Sequence, residues 1–220
     1  MDQKKLDQQS QHWEASFSSK PEMFGLAPSI AAVKALKKFQ EKNITSIVEL
    51  GAGLGRDTLF FAKNSIHVYA LDYSSSSIKM INEKAKKENL SKFISAKKLD
   101  VRQKLPFNDS SAKGFFSHML YCMALTNSDL KNLNNEILRV LVSQGLNIYT
   151  VRHTNDGDYK NGVHIGEDLY ENDGFIVHYF SEEKVNQLSN GFENLVIEKF
   201  EEGNFPRKLF FVINKKKDEQ

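Results

Sequence analysis

The sequence has little of the chemistry that stabilises small secreted or metal-bound domains. Its single cysteine, Cys122, cannot form an internal disulfide and has no partner at zinc-ligand spacing. No apolar run approaches the length that spans a bilayer, and residues 1–10 lack the apolar core of a secretory signal. These absences exclude a disulfide scaffold and a membrane span, and we expect a cytoplasmic protein.

Neither sign of charge dominates, and proline is scarce. Lys and Arg number 30 against 28 Asp and Glu, so the formal net charge is only +2. Nucleic-acid-binding domains usually carry a clustered basic face, which this balance does not favour. Four prolines and no low-complexity stretch mark no linker, so the 220 residues are predicted to form a single domain. The expected partner is a small molecule or a protein, without nucleic acid or membrane, and the oligomeric state is undefined.

The chain does contain a regular alternation of helical and strand-like segments. Apolar residues at helical spacing over 30–42 precede a β-branched run at 44–50, and this exchange of periods repeats to residue 151. Repeated βα units predict a parallel sheet with helices on both faces. Beyond residue 151 the sequence is polar and contains glycine, until two strand-like runs, 195–200 and 208–213, predict an antiparallel hairpin.

The most informative stretch is VELGAGLGRDTLFFAK, residues 48–63. Three glycines stand there at every second position, after a strand-like segment and before a helix-like one. Parallel sheets bind ligands at the carboxyl ends of their strands, and glycine there permits a positive φ and lets a ligand lie against the main chain. The dinucleotide pattern GxGxxG fails because Arg56 occupies its third glycine position. The phosphate-loop pattern is also absent, so the glycines predict an elongated polar ligand of another class.

A carboxylate at the end of the next strand supports the same site. Asp72 ends IHVYALD, at the sheet edge that the glycines occupy, where it can accept hydrogen bonds from both hydroxyls of a ribose. The residue can also cap the helix that begins near Ser74, and both roles can coexist. Adenosine-binding dehydrogenases use a similar acid, so Asp72 identifies the ligand only together with the glycine pattern.

From Glu49 the motif reads ExGxGxG, and at this point the chain resembles the class I S-adenosylmethionine-dependent methyltransferases. GRDTLFFA is similar to a run in the tellurite-resistance and thiopurine type of small-molecule methyltransferase. The resemblance covers residues 44–151. It implies a Rossmann-like α/β fold whose seven-stranded, mostly parallel sheet has the order 3214576 with an antiparallel last strand. It also implies an enzyme that uses S-adenosyl-L-methionine and leaves S-adenosyl-L-homocysteine.

The resemblance assigns roles to individual residues. Glu49 would hold the cofactor's ammonium, directly or through water. LDVRQKLPFNDSSAKGFFSHML, residues 99–120, resembles the segment in which an aspartate and its neighbour hold the adenine and later residues reach the methionine end. The predicted cofactor-binding residues are Glu49, Gly51, Ala52, Gly53, Gly55, Asp72, Tyr73, Asp100, Val101 and Ser117.

The candidate catalytic residues follow the fourth and fifth predicted strands, so we expect them to face the crevice. They are His118, Tyr121, Arg152 and His153. Histidine or tyrosine would act as a base for a hydroxyl or ammonium acceptor, and an arginine could hold an anion. His164, His178 and Tyr179 lie in the next segment, which often covers the acceptor in this fold. The spacing of these histidines matches no short metal motif, and no metal site is predicted.

The predicted organisation is one methyltransferase domain over 1–220. It has a cap at 1–29, a cofactor-binding core at 44–151, an acceptor-side insertion at 152–190 and a C-terminal hairpin at 191–214. Trp13, Phe17, Met23 and Phe24 would form a lid over the cofactor or pack against the first helix. The predicted reaction is methyl transfer to a small molecule by in-line displacement; the alternatives are a protein or RNA acceptor, or a non-catalytic S-adenosylmethionine-binding protein.

Overall fold

A seven-stranded sheet forms the centre of the molecule, in a computed structural model that describes residues 3–20, 22–203 and 206–218. Its strands are β1 (Ser46–Leu50), β2 (His67–Asp72), β3 (Ile94–Lys98), β4 (Ala112–Ser117), β5 (Leu141–Arg152), β9 (Phe192–Glu202) and β10 (Arg207–Lys216), and a second sheet contains β6 (Val163–Gly166), β7 (Leu169–Asn172) and β8 (Phe175–His178). The order of the large sheet is β3-β2-β1-β4-β5-β10-β9. Strand β10 runs in the direction opposite to the other six strands, which confirms the predicted topology.

Helices cover both faces of this sheet, as predicted. They are α1 (Gln3–Ser19), α2 (Ile30–Glu41), α3 (Arg56–Lys63), α4 (Ser75–Lys87), α5 (Asn127–Val140) and α6 (Glu182–Leu188). Neighbouring strand residues point to opposite faces, so Phe116 packs with α2, α3 and α4, whereas Phe115 packs with α5 and α6. Within the described residues no helix is both long and apolar enough to cross a membrane.

The small antiparallel sheet and α1 are the parts of the fold that the sequence pattern did not predict. Leu6 of α1 packs with Leu169 and Ile176 of the small sheet to form a separate apolar cluster. The side-chain amide of Gln9 extends this contact, because its Nε2 donates to the carbonyl of Gly174 at 2.8 Å and its Oε1 accepts from the amide of Ile176 at 3.1 Å. Helix α1 therefore occupies the edge of β8 much as another strand would.

Strand pairing brings the candidate residues to one end of the large sheet. Leu50 at the end of β1 lies beside Leu71 of β2, and Glu49 lies beside Phe116 of β4. The carboxyl ends of these three parallel strands therefore meet at the same edge, where the topology predicts a ligand site.

Candidate active site

A cavity of about 810 Å³ lies at the carboxyl ends of the parallel strands. Its lower wall is the turn between β1 and α3 together with the ends of β2, β4 and β5, and its other walls come from α1, residues 23–25, β8 and the β9–β10 hairpin. Ligand sites in proteins usually enclose about 300–1,000 Å³. The cavity therefore has room for a nucleoside cofactor and a small second ligand.

The three glycines of the β1–α3 turn serve two different purposes. All have positive φ, 68° at Gly51, 52° at Gly53 and 80° at Gly55. A Cβ atom would lie 3.0 Å from Leu120 at Gly51 and 2.7 Å from Ile81 at Gly55, so these two glycines permit close packing within the protein. At Gly53 the nearest atoms are 3.8 Å and 4.0 Å away, on rings that also line the cavity. The prediction that a ligand excludes side chains from the turn thus applies to Gly53.

The carboxyl group of Asp72 binds the main chain of the β1–α3 turn and of the start of α4. Its Oδ2 accepts from the amide of Gly53 at 2.8 Å, and its Oδ1 accepts from the amide of Ser74, the N-cap residue of α4, at 2.9 Å. Its carboxyl group therefore lies against the glycine turn and lines the cavity. Burial raises the pKa of Asp72 from 3.8 to about 6, in spite of these hydrogen bonds.

Glu49 is a second buried acid at the same end of the sheet. The hydroxyl of Thr58 donates to its Oε2 at 2.5 Å. Burial, followed by the charge of Asp57, raises the pKa of Glu49 well above its usual value. A buried carboxyl group of this kind is stabilised in its ionised form by a cation, so it fits the ammonium of an amino-acid moiety.

The other predicted cofactor residues divide into two groups. Ala52, Tyr73, Asp100 and Val101 line the cavity. The carboxylate of Asp100 is already bound by Arg102, whose Nη2 lies 2.6 Å from Oδ2 and whose Nη1 lies 2.5 Å from Asp7 of α1. Ser117 does not line the cavity, because successive residues alternate in direction along β4 and the next residue, His118, is the one that faces it.

Two of the four candidate catalytic residues do not face the cavity. Tyr121 is fully buried in the core, where its ring stacks on Tyr149 with centroids 4.4 Å apart. His153 packs on Phe210 at 5.0 Å, and its Nδ1 accepts from the amide of Asn155 at 3.0 Å. Both expectations were therefore wrong as to position, whereas His118 and Arg152 line the cavity.

His118 has polar partners on both ring nitrogens. Its Nδ1 lies 3.0 Å from Oγ1 of Thr150, and its Nε2 lies 3.2 Å from Oε2 of Glu202 at the end of β9. The other carboxylate oxygen of Glu202 accepts from the amide of Ile30 at 3.0 Å. Burial opposes ionisation of Glu202, but the neighbouring His118, the amide of Ile30 and the charge of Arg56 outweigh it, so the pKa of Glu202 lies below its usual value. Sequence analysis did not single out Glu202.

Arg152 is held by two carboxylates that follow it closely in the chain. Its Nη2 contacts both Asp156 and Asp158, the latter at 2.6 Å. The anion-binding capacity predicted for Arg152 is therefore largely used within the protein. Its Nε remains without a hydrogen-bond partner among the described residues.

Residues 47–145 match the family described as "Methyltransferase domain". The matched residues include the glycine turn, Asp72 and Asp100, and the chain has the fold of the class I methyltransferases, which use S-adenosylmethionine. No curated protein matches the sequence significantly. A neighbour in fold is the 1,6-didemethyltoxoflavin-N1-methyltransferase of Burkholderia thailandensis, solved with 1,6-didemethyltoxoflavin and S-adenosylhomocysteine bound, with a TM-score of 0.78 and 14% identity over 99% of this chain and 91% of that chain.

Two further solved structures share the architecture. A protein of Methanosarcina mazei described as a SAM-dependent methyltransferase has a TM-score of 0.70 and 20% identity, over 79% of this chain and 93% of that chain. TehB of Haemophilus influenzae has a TM-score of 0.66 and 19% identity, over 93% of this chain and 67% of that chain. At these identities the likeness shows the fold.

Apolar residues from the N-terminal segment form part of the wall of the cavity. Trp13, Phe17, Met23 and Phe24 all line it. The ring of Trp13 lies 5.3 Å from Phe17, 6.3 Å from Phe24 and 4.8 Å from Phe175 of β8. These four rings, Trp13, Phe17, Phe24 and Phe175, are called the aromatic wall below.

The acceptor-side histidines lie away from the cavity, whereas Tyr179 lines it. His164 is exposed on β6 and packs on Tyr170 at 4.9 Å. His178 is buried, and burial together with the charge of Lys184 lowers its pKa to about 4, so it is neutral at physiological pH. Among the residues that the structure describes, no group of three or more His, Cys, Asp or Glu could hold a metal ion.

Cofactor affinity is expected to fall on acidification. Asp72 must be ionised to accept hydrogen bonds from both ribose hydroxyls, and Glu49 must be ionised to pair with an ammonium. Because the pKa of Asp72 is about 6 in the free protein and that of Glu49 is also raised, protons compete with the cofactor. Below pH 6 we expect the dissociation constant of S-adenosylhomocysteine to rise up to about tenfold per pH unit for each ionisation. Calorimetry between pH 5 and 7.5 measures it.

The variant Asp72→Asn should lose the part of this dependence centred near pH 6. By the same linkage, Asp72 stabilises the free protein below pH 3.8, and this contribution is lost as the pH rises through about 6. The thermal shift produced by S-adenosylhomocysteine should therefore grow with pH. A dissociation constant that stays unchanged across the range would contradict the assignment of both acids.

Proposed function

We propose that this methyltransferase acts on a small molecule held in the cavity beside the cofactor. The observation that supports this proposal is that residues from several elements besides the glycine turn line the cavity. Phe175 and Val177 of β8, Leu209 of β10 and Trp13 of α1 all line it. A polymeric acceptor would need an open groove, whereas a small molecule fits the cavity of about 810 Å³. The neighbour solved with 1,6-didemethyltoxoflavin bound also supports a small acceptor.

The cofactor side of the proposal assigns three contacts. Asp72 would hold the ribose hydroxyls, Glu49 the ammonium, and the main chain at Gly53 would lie against the nucleoside. When bound, S-adenosylmethionine supplies a methyl group on a positively charged sulfur, which an acceptor lone pair displaces. Phe17 and Phe24 lie about 4 Å from the Cβ position of Gly53 and would attract this positive charge through their ring faces.

The remaining work of the protein is to orient the acceptor and to accept its proton. His118 lines the cavity, and Glu202 and Thr150 fix its ring orientation. The acceptor's proton would pass to Nε2 of His118, because Nδ1 lies against the hydroxyl of Thr150 while Nε2 has no hydrogen bond to Glu202, 3.2 Å away. The carboxylate of Glu202 stabilises the imidazolium that results.

Replacing His118 by alanine is expected to lower kcat by about 100-fold, because general base catalysis typically contributes at least that factor. The affinity for S-adenosylhomocysteine should stay within about twofold of wild type. Methyl transfer to a panel of phenols, amines and N–H heteroaromatics, followed by mass spectrometry, measures the rate. The control is His164→Ala, on the exposed surface of β6.

Three outcomes of this experiment differ in meaning. If S-adenosylhomocysteine does not bind, the cofactor contacts are wrong. If it binds and only a protein or RNA is methylated, the small-molecule proposal fails. If a small molecule is methylated and His118→Ala retains the wild-type kcat, the proposal fails only in its choice of base.

A further inference from the structure

Four arginines line the cavity, and three of them have carboxylate partners. These three are Arg56 with Asp57 at 3.5 Å, Arg102 with Asp7 and Asp100, and Arg152 with Asp156 and Asp158. The fourth, Arg207, begins β10 and forms no ion pair or side-chain hydrogen bond with any residue that the structure describes. Its charge is therefore available to a ligand.

The pairing of the last strands places Arg207 next to the other acceptor-side groups. Leu209 lies opposite Arg152 of β5, and Arg207 lies opposite Glu202 of β9. Opposed residues of antiparallel strands share a face of the sheet, and so do residues two apart on one strand. Arg207, Arg152 and Glu202 therefore stand on the same face, and all three line the cavity.

Two buried donors beside this face also lack partners. Nε of Arg152 and the hydroxyl of Tyr179 are buried without a hydrogen-bond partner, and the guanidinium carbon of Arg152 lies 5.3 Å from the centre of the Tyr179 ring. Burial raises the pKa of Tyr179, so its hydroxyl keeps its proton. Buried donors without acceptors are destabilising, and oxygen atoms of a ligand would satisfy them.

The carboxylates around this face are already occupied. Oε1 of Glu202 accepts from the amide of Ile30 at 3.0 Å and its Oε2 lies 3.2 Å from Nε2 of His118, while Asp158 pairs with Arg152 at 2.6 Å. Asp173 also lines the cavity, but from the turn between β7 and β8, on the small sheet; it is exposed, as is Arg207. The groups on the β5–β10 face that remain without a hydrogen bond to any described residue are thus Nε of Arg152, the hydroxyl of Tyr179, the charge of Arg207 and one acceptor, Oε2 of Glu202, which faces His118. Donors outnumber acceptors there, which favours an anion over an ammonium.

We propose that the acceptor is a planar aromatic molecule bearing a carboxylate, which Arg207 binds while its rings lie against the aromatic wall. This inference rests on the proposed function, since it specifies the acceptor of that reaction. Arg152 Nε–H and the Tyr179 hydroxyl donate to the same carboxylate or to a neighbouring oxygen. Charged hydrogen bonds of a guanidinium to a carboxylate are strong and directional, so Arg207 determines specificity.

The test compares three ligands that share one ring system and differ in charge. Protein saturated with S-adenosylhomocysteine is titrated with 2-naphthoate, 2-naphthamide and 2-(aminomethyl)naphthalene, and binding is followed by calorimetry or ligand-detected NMR. We expect 2-naphthoate to bind at least tenfold more tightly than the other two. Arg207→Gln should abolish this preference without changing the affinity for 2-naphthamide, and Arg207→Lys should restore part of it. The matched control is Lys208→Gln, since Lys208 points to the opposite face.

Equal affinities for the three ligands, tighter binding of the amine, or an unchanged preference in Arg207→Gln would each overturn the inference. Failure of S-adenosylhomocysteine to bind would instead contradict the proposed function, so the two failures are distinguishable. Methylation of acceptors without a carboxylate, at rates that Arg207→Gln leaves unchanged, would retain the proposed function and remove only this acceptor class.

Discussion

Replacing Asp72 by alanine is expected to weaken the binding of S-adenosylhomocysteine at least 100-fold. The variant loses an ionised acceptor for two ribose hydroxyls, and hydrogen bonds to charged groups contribute about 1.5–3 kcal/mol each. The sum of about 3–6 kcal/mol corresponds to a factor of roughly 10² to 10⁴ in the dissociation constant. Calorimetric titration of the purified variant measures the change.

Loss of the fold must be separated from loss of the ribose contact, because Asp72 also accepts from the amides of Gly53 and Ser74. Asp72→Asn keeps one acceptor oxygen for these amides and removes the charge, so it should retain a cooperative thermal transition and still bind weakly. The control is Asp109→Asn, at an exposed position paired with Arg139. Wild-type affinity in a folded Asp72→Ala variant would show that the ribose lies elsewhere.

Replacing Gly53 by alanine is expected to affect mainly cofactor binding, whereas replacing Gly55 by alanine is expected to affect mainly stability. At Gly55 the new Cβ would lie 2.7 Å from Ile81, in a backbone with φ of 80°, so overpacking and left-handed strain should destabilise the protein by about 2–5 kcal/mol. At Gly53 the space is open, so only the strain of about 1–2 kcal/mol applies. The methyl group there projects toward the cavity and should weaken cofactor binding more than tenfold.

Thermal unfolding and calorimetry with S-adenosylhomocysteine, carried out on both variants, separate the two effects. We expect Gly55→Ala to have the larger fall in Tm, and Gly53→Ala to have the larger loss of affinity among folded molecules. If one variant had both the larger fall in Tm and the larger loss of affinity, the two glycines would not have separate roles. That result would contradict the assignment of Gly55 to internal packing and of Gly53 to ligand approach.

The cofactor half of the site was predictable because short stretches of sequence determine it. Glycine after a strand and an acid at the end of the next strand act through main-chain geometry at one edge of the sheet. Gly53 and Asp72 are accordingly joined by a hydrogen bond of 2.8 Å. The alternation of apolar periods likewise predicted a parallel sheet with helices on both faces, whereas the order of its strands came from the resemblance to the class I methyltransferases.

The acceptor half depended on contacts that no local pattern reveals. Glu202 reaches His118 only because β10 pairs with both β5 and β9, and its neighbours in β9 include other glutamates with no such contact. His153 was misplaced because it follows Arg152 directly, and adjacent strand residues face opposite ways. Tyr121 was misplaced because Met119 adopts a φ of 62°, which redirects the chain beyond β4 into the core.

The small sheet and α1 escaped prediction for reasons of length and composition. Each strand of the small sheet has only four residues, too few for an alternating pattern to stand out. Helix α1 is polar along most of its 17 residues and buries only Leu6, Gln9 and Phe17. Its position depends on tertiary contacts with β8 rather than on an apolar stripe of its own.

The contact between Gln9 and β8 has a consequence for the behaviour of the protein in concentrated solution. If α1 moves away to admit ligands, the amide of Ile176 and the carbonyl of Gly174 lose their partners and become an unprotected strand edge. Such an edge can recruit an extended segment of another molecule. Ligands that hold α1 in place would therefore slow self-association as well as unfolding, and storage with S-adenosylhomocysteine should reduce the growth of aggregates.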